Sequence, residues 1–210
     1  MNVQKIKSRS IVLRFPVDGW QLNLHVILGR QRNYVVDTGL GSQSAALIGE
    51  VLAGSPLPVV VINTHHHWDH VWGNHAFAGS TIIAHRLCRA RIAERWQDML
   101  GRNGQYVRGE AVLRLPDLVF EGELTFPDDG IRLLHTPGHT LDSISVLDEQ
   151  DGVLDAADNI GDDMEDIVPS LETSPEVYRA TLNRYRGLAF DTLLSGHNVP
   201  LDRDVLDLIE

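Results

Sequence analysis

The stretch 59-VVVIN-63 constrains the fold of this chain more than any other. It is a short, continuous apolar run, which is typical of a β-strand that is buried on both faces. Predicted strands and helices alternate along the rest of the chain, and this alternation is the pattern of an α/β fold. Strands are predicted at 11–17, 20–28, 34–38, 59–63, 81–85, 123–127, 131–136, 143–148, 152–157 and 191–195, and helices at 42–54, 86–100, 175–188 and from about 203.

Composition limits the classes of protein to which the chain can belong. No low-complexity linker divides its 210 residues, so we expect a single domain, 1–210. A formal net charge of −11 opposes binding to nucleic acid or to an anionic membrane surface. The one cysteine, Cys88, excludes an internal disulfide and is expected to be a buried packing residue. The composition therefore favours a cytoplasmic protein, and the sequence leaves the oligomeric state open.

Histidines and carboxylates recur directly after the predicted strands, where α/β folds usually bind ligands. These residues are Asp37, His65, His66, His67, Asp69, His70, His139, Asp158 and His197. In an extended segment His66 points away from its neighbours, so we expect it not to be a ligand. Imidazole and carboxylate groups suit zinc, iron or manganese. Without His66 and Asp37, seven candidates remain, which is too many for one ion but enough for two that share a carboxylate.

The pattern His65-x-His67-x-Asp69-His70, followed by His139, Asp158 and His197, resembles the metallo-β-lactamase-fold superfamily of metallohydrolases. The resemblance extends from 35-VVDTG-39 through 136-TPGHT-140 to 195-SGHN-198, which is nearly the whole chain. It implies an αβ/βα sandwich of two mixed sheets flanked by helices. It also implies a first metal held by His65, His67 and His139, a second held by Asp69, His70 and His197, a bridging Asp158, and an Asp37 that supports the ligand loop.

The sequence departs from the family pattern at the bridging aspartate. The family often has Gly-Asp there, whereas this chain has Ala157-Asp158, and a Gly-Asp pair follows at Gly161-Asp162. We favour Asp158 because it directly follows the strand predicted at 152–157, and Asp162 is the alternative. The branch with many true β-lactamases has a cysteine near this position, which is absent here. The flavodiiron branch has an acidic residue where this chain has His67, so both branches are disfavoured.

Several further residues have a structural interpretation beside a functional one. We expect a structural or surface role for His25, on the polar face of its strand, and for His75, His85 and His135. Trp68 and Trp72 fit an active-site wall and a core equally well. The acidic run 162-DDMED-166 is predicted to be a solvated loop near the pocket rim. The segment 101–116 is a candidate mobile loop that could close over the site.

The ligand set predicts a metal-dependent hydrolase with two divalent ions, zinc being favoured over iron or manganese, and with Asp69 as a catalytic residue that orients the nucleophile. Hydroxyacylglutathione hydrolases have a similar ligand set but carry a C-terminal glutathione-binding region. The residues after Asp158 leave no room for one, so glutathione thioesters are disfavoured. RNA-processing members are disfavoured by the charge. Lactonases share the ligands, so the expected substrate is a small ester, thioester or lactone.

Two other functions stay open on the sequence. Persulfide dioxygenases resemble the same family but use one iron, at the positions of His65, His139 and Asp158, all of which are present. A metal-binding protein without catalytic activity is the third hypothesis, and the complete ligand set speaks against it.

Overall fold

The computed structural model describes residues 1–209 and contains two mixed β-sheets, one of seven and one of six strands. The first sheet follows chain order: β1 (Asn2–Lys5), β2 (Ser10–Val17), β3 (Trp20–Leu28), β4 (Asn33–Val36), β5 (Val59–Asn63), β6 (Thr81–His85) and β7 (Leu118–Phe120). The second contains β8 (Glu123–Phe126), β9 (Ile131–His135), β10 (Ile144–Asp148), β11 (Val153–Asp155), β12 (Thr192–Leu194) and β13 (Leu201–Asp202). The α-helices are α1 (Ser42–Leu52), α2 (Trp68–Val71), α3 (Arg86–Asn103) and α4 (Pro175–Arg186).

The two sheets pack face to face, with helices on their outer faces, which confirms the predicted α/β sandwich. In β5, Val61 packs into the cluster that includes Ile48 of α1, whereas Ile62 packs between the sheets against residues such as Leu133. The strand is thus buried on both faces, as its continuous apolar run predicts. On the far side, α4 buries one stripe against the second sheet through Leu182 and neighbours at helical spacing.

The strand directions bring the carboxyl ends of several strands to one edge. β4 to β7 run parallel to one another, and β11 runs parallel to β12. Two backbone hydrogen bonds join the sheets near this edge, from Ile144 to the Thr64 carbonyl at 2.9 Å and from Asn23 to the Gly196 carbonyl at 2.7 Å. The segments that follow the strands therefore meet along the seam between the two sheets.

The structure differs from the sequence predictions mainly at short or exposed elements. β1, β7 and β13 were not predicted: every residue of β1 is exposed, so it lacks the alternation that marks a half-buried strand. The C-terminal helix is a 3-10 helix, Arg203–Leu208. The segment 101–116 is bonded to the start of α1 and to the turn before it, since the Ser42 backbone N–H donates to the Glu110 carbonyl at 2.9 Å and the Arg108 backbone N–H to the Leu40 carbonyl at 3.0 Å. The helices of residues 1–209 are too short or too polar to span a bilayer.

Candidate metal centre

The loop after β5 carries four of the predicted ligands, and the carboxylate of Asp37 holds this loop in shape. Asp37 accepts hydrogen bonds from the Thr64 backbone N–H at 2.8 Å, from the Thr64 hydroxyl at 2.6 Å and from Nδ1 of His70 at 2.7 Å. Its own backbone is left-handed, with φ 62°, which is uncommon for a residue other than glycine. Such strain persists where the surrounding contacts compensate for it. These contacts match the supporting role that the resemblance implies.

A first group of candidate ligands comprises His65, His67, His139 and Asp158, with one ligand atom of each within 4.8 Å of all the others. Nδ1 of His67 lies 3.1 Å from Nε2 of His65 and 3.0 Å from Nε2 of His139. A tetrahedral zinc ion with bonds of about 2.0–2.1 Å separates its nitrogen ligands by roughly 3.3 Å. The spacing of these imidazoles therefore fits a single small cation between them.

A second group comprises Asp69, His70 and His197. Oδ2 of Asp69 lies 3.6 Å from Nε2 of His70 and 3.5 Å from Nε2 of His197. Oδ2 of Asp158 lies 3.3 Å from each of these two nitrogens and 3.4 Å from Nε2 of His65 in the first group. Asp158 thus lies between the two groups, in the place that a bridging ligand would occupy.

Two buried polar atoms of this seven-residue cluster lack a hydrogen-bond partner within residues 1–209, namely Nε2 of His70 and Oδ1 of Asp158. An unpaired buried polar group costs about 1–3 kcal/mol, and a bound cation would remove that cost. Gly196 leaves room beside them, because a Cβ there would lie 2.2 Å from Oδ1 of Asp158. The donors are nitrogen and oxygen only, which suits zinc, iron or manganese. The residues fit a metal centre, and their role as ligands stays a prediction.

Each of the five histidines of the cluster has a partner for its second ring nitrogen, an arrangement that fixes ring orientation in metal-binding histidines. The pairs are His65 Nδ1 with Thr64 Oγ1 (3.1 Å), His67 Nε2 with Glu172 Oε1 (3.4 Å), His70 Nδ1 with Asp37 Oδ2 (2.7 Å), His139 Nδ1 with the Ser170 carbonyl (2.8 Å) and His197 Nδ1 with the Gln21 carbonyl (2.7 Å). Sequence reasoning missed Gln21, Ser170 and Glu172, which are common residue types far from any motif.

The close packing of charges shifts the pKa values of the cluster in opposite directions. Burial lowers the pKa of His65 well below its usual value, and the neighbouring His70 adds to this effect. Burial acts in the same direction on His197, but the carboxylate of Asp158 outweighs it and raises the pKa of His197 to about 9. For Asp158, burial acts to raise the pKa, but His70 and His197 hold it well below the usual range. Without metal, protons on these imidazoles neutralise the carboxylate, and a bound cation would replace them.

The remaining histidines have partners outside the cluster. The contacts are His25 with Asp155 (3.2 Å), His66 with Asp142 (2.9 Å), His75 with the Trp72 carbonyl (3.3 Å), and a stack of the His85 and His135 rings (4.0 Å). His66 points away from the candidate ligands, as expected. The polar face assigned to His25 is covered by the second sheet, so this side chain is buried rather than solvated.

The two candidates for the bridging aspartate have different environments. Asp158 is buried within the cluster, whereas Asp162 is exposed on the following loop. The preceding Ala157 has φ 47°, a left-handed conformation that glycine adopts without steric cost. The Gly-Asp of the family pattern would suit this backbone geometry better than the Ala-Asp of this chain. The geometry therefore supports Asp158 rather than Asp162.

A cavity of about 650 Å³ opens onto the cluster, with His139, Asp158 and His197 in its wall. Trp20 lines one side and packs edge-on against His197, with ring centroids 5.3 Å apart. The loop 162–166 lies at the rim, as predicted, whereas the segment 101–116 does not line this cavity.

Trp68 and Trp72, which fitted an active-site wall and a core equally well on the sequence, have different environments in the structure. Trp72 is fully buried and belongs to a core cluster with Ile92 and Trp96 of α3. Trp68 is half-buried and lines a smaller cleft of about 250 Å³ beside His67. One residue is therefore core, and the other forms part of a wall near the candidate ligands.

The sequence matches the family model described as "Metallo-beta-lactamase superfamily" over residues 17–197. Among curated relatives, the acyl-coenzyme A thioesterase MBLAC2 of Gallus gallus is 29% identical over 169 residues, covering 71% of this chain and 61% of the relative. Hydroxyacylglutathione hydrolase of Rhodopseudomonas palustris is 32% identical over 100 residues, covering 48% of this chain and 33% of the relative. An N-acyl homoserine lactonase of Bacillus thuringiensis is 29% identical over 132 residues, covering 60% of this chain and 49% of the relative. The chain thus spans one third to three fifths of the length of these relatives.

The fold has similar solved structures. A metallo-beta-lactamase from Hirschia baltica superposes with a TM-score of 0.74 at 17% identity, covering 98% of this chain and 94% of that one. One from Pontibacter korlensis gives 0.72 at 17% identity, with 98% and 95% covered. Because the family model matches residues 17–197, which is most of the sequence, the chain belongs to the metallo-beta-lactamase superfamily.

Proposed function

We propose that the chain is a hydrolase that binds two divalent metal ions, with zinc favoured over iron or manganese, and cleaves a small ester, thioester or lactone. The position of Asp158 carries this proposal, because its Oδ2 lies within 3.4 Å of imidazole nitrogens from both ligand groups. The first ion would be held by His65, His67 and His139, and the second by Asp69, His70 and His197, with Asp158 shared.

When bound, such ions lower the pKa of a water molecule to near neutrality and polarise the substrate oxygen. The chain positions the remaining groups. Asp69 places its Oδ2 3.5 Å from Nε2 of His197, which lines the cavity, and an ionised carboxylate there can orient the attacking water and accept its proton. Trp20 covers His197 from the side and limits the access of bulk water to that ring.

The relatives support the class of bond that is cleaved. Their names describe a thioesterase, a hydroxyacylglutathione hydrolase and a lactonase, all of which are acyl-transfer activities on small molecules. The extent of the single domain, 1–210, the cytoplasmic location and the lack of nucleic-acid binding remain predictions.

The proposal is tested by elemental analysis of untagged protein purified without added metal, followed by a panel of esters, thioesters and lactones. We expect about two metal ions per chain. Asp69→Ala should lower turnover by about 10²–10⁴-fold, the usual contribution of a general base. Asp142→Asn is the matched control, because Asp142 is a buried carboxylate that contacts His66 outside the cluster. Metal content near one iron per chain would overturn the dinuclear hydrolase.

A mononuclear iron oxidoreductase of the persulfide dioxygenase kind is the second candidate. It is supported by a set of two histidines and one carboxylate, since Nε2 of His65 and Nε2 of His139 lie 3.4 and 3.7 Å from Oδ2 of Asp158. The second group around Asp69 has no role in that reaction. Oxygen uptake with a persulfide, together with iron content, distinguishes this candidate from the hydrolase.

A further inference from the structure

We infer that the 650 Å³ cavity selects electrically neutral or cationic substrates and discriminates against substrates that carry several negative charges. The inference rests on the proposed function, because it concerns the substrate of the same site. Among acyl compounds it favours neutral esters, thioesters and lactones over thioesters of polyanionic thiols such as coenzyme A. It thus separates the substrate classes that the names of the relatives leave open.

The cavity gives direct access to the cluster. Its wall includes Asp158, which is buried and whose Oδ1 has no partner among the described residues. Asp158 thus borders a space of the size that small-molecule ligands occupy. A substrate that reaches the cluster by this route must pass the other groups of the wall.

Carboxylates dominate the charged groups of the wall. Asp162, Asp163 and Asp166 line the cavity, and none of them lies within ion-pair distance of a cationic group in residues 1–209. Arg14 is the one Lys or Arg among the described lining residues, and its Nε already donates to the Asn23 side chain at 3.3 Å. Apart from the cluster itself, the charged side chains of the wall are three carboxylates and one guanidinium, an excess of negative charge that repels anions on their way to the cluster.

The loop that carries these carboxylates is held in place. Gly161 donates to the Ile167 carbonyl at 2.9 Å, which closes the loop, and the Asn198 side chain donates to the Gly161 carbonyl at 2.9 Å. Asp163 accepts the backbone N–H groups of Glu165 and Asp166, each at 2.8 Å. The negative charges thus have defined positions beside the route to the cluster.

The rest of the cavity wall combines apolar residues with the polar Gln21, Ser170 and Asn198, and the arginines of the neighbouring cleft each face a carboxylate. Val168 and Val199 line the cavity and are about half exposed, so they can pack against an apolar acyl group. In the smaller cleft, Arg102 is paired with Asp98 at 2.8 Å and Arg95 faces Glu172 at 3.9 Å. Recognition of phosphates needs several unpaired guanidinium or ammonium groups, which these surfaces lack in the described chain.

The experiment compares two thioesters that share one acyl group, one with the neutral thiol N-acetylcysteamine and one with coenzyme A. With the protein as purified, we expect the ratio of kcat/KM to favour the neutral substrate by at least tenfold at low salt. This ratio should fall as salt rises from about 0.05 to 0.5 M, because the Debye length shortens. The double variant Asp162→Asn/Asp166→Asn should lower it about three- to tenfold. Glu165→Gln, in the same loop but outside the wall, should leave it unchanged.

A binding measurement separates the two proposals. Thioether analogues of the same two thiols cannot be hydrolysed, and their dissociation constants are measured by calorimetry. If the neutral analogue binds more tightly and neither thioester is cleaved, the hydrolase proposal fails and the selectivity inference stands. If coenzyme A derivatives are bound and cleaved as well as neutral ones, at every salt concentration and in the double variant, the inference is overturned.

Discussion

Replacing Asp37 by asparagine tests whether this carboxylate controls the ligand loop. The two oxygens of Asp37 accept three hydrogen bonds, two from Thr64 and one from Nδ1 of His70. An asparagine has one oxygen, so in either orientation its amide N–H₂ faces an N–H group. Where the N–H₂ faces His70, that ring can keep a bond only if its proton moves to Nε2, and an N–H group would then point at Asp158 in place of a lone pair.

The size of the effect follows from these contacts. One buried N–H group loses its acceptor, which costs about 1–3 kcal/mol of folding stability. The loss of an orienting carboxylate typically weakens metal binding 10–100-fold. Since each factor of ten corresponds to about 1.4 kcal/mol, the metal term is of similar size to the stability term. The variant should therefore fold with reduced stability and bind zinc much more weakly.

Zinc affinity is measured by competition with a chromophoric chelator, and stability by urea unfolding of the chelator-treated protein. Asp142→Asn is the control, because Asp142 is equally buried and contacts His66 at 2.9 Å. It should lose stability but keep its zinc affinity within about twofold. Wild-type zinc affinity in Asp37→Asn, or equal losses in both variants, would refute the assignment of the His70 proton to Asp37.

Three further outcomes are expected. Gly196→Ala should displace the Asp158 carboxylate, because the new Cβ would lie 2.2 Å from its Oδ1. Thermal unfolding should show a loss of about 1–3 kcal/mol of stability, and elemental analysis should show much less bound metal. In metal-free protein the pKa of His197 is about 9, above its unfolded value, so protonation of His197 stabilises the fold fully below about pH 6.5 and no longer does so once the pH rises through 9. Urea unfolding across this range should show a loss of stability of up to roughly 3 kcal/mol. His197→Gln should make the stability less dependent on pH. Glu172→Gln removes the carboxylate beside Nε2 of His67, so chelator competition should show zinc affinity up to about tenfold weaker, whereas an unchanged affinity would mean that Glu172 does not orient this ring.

The sequence predicted what depends on local pattern. The apolar run of β5 identified a buried strand of the first sheet, and the polar residues that follow several strands identified the edge of the site. The exposed β1 lacks a pattern, and β13 has only two residues, so neither could be recognised.

Contacts between residues far apart in the chain could not be predicted from the sequence. Glu172 and Gln21 reach His67 and His197 across 105 and 176 positions of the chain, and nothing in their neighbourhoods indicates this. Likewise, the pattern of β3 placed His25 on a polar face, because it cannot show that a second sheet covers that face. The single-domain extent of the chain remains a prediction.

The seam location of the cluster gives a bound metal a mechanical effect on the whole chain. His65 belongs to the half of the chain that forms the first sheet, whereas Asp158 and His197 arrive with the second. The halves also meet through apolar packing, through backbone bonds such as that from Asn23 to Gly196, and through side-chain contacts such as Arg9 with Asp148. An ion that holds residues from both halves acts as a reversible clasp, and a concentration one hundred times its dissociation constant adds about 2.7 kcal/mol against unfolding. Because the clasp can close only after the sheets have docked, the supply of metal would set the lifetime of the folded chain as well as its activity.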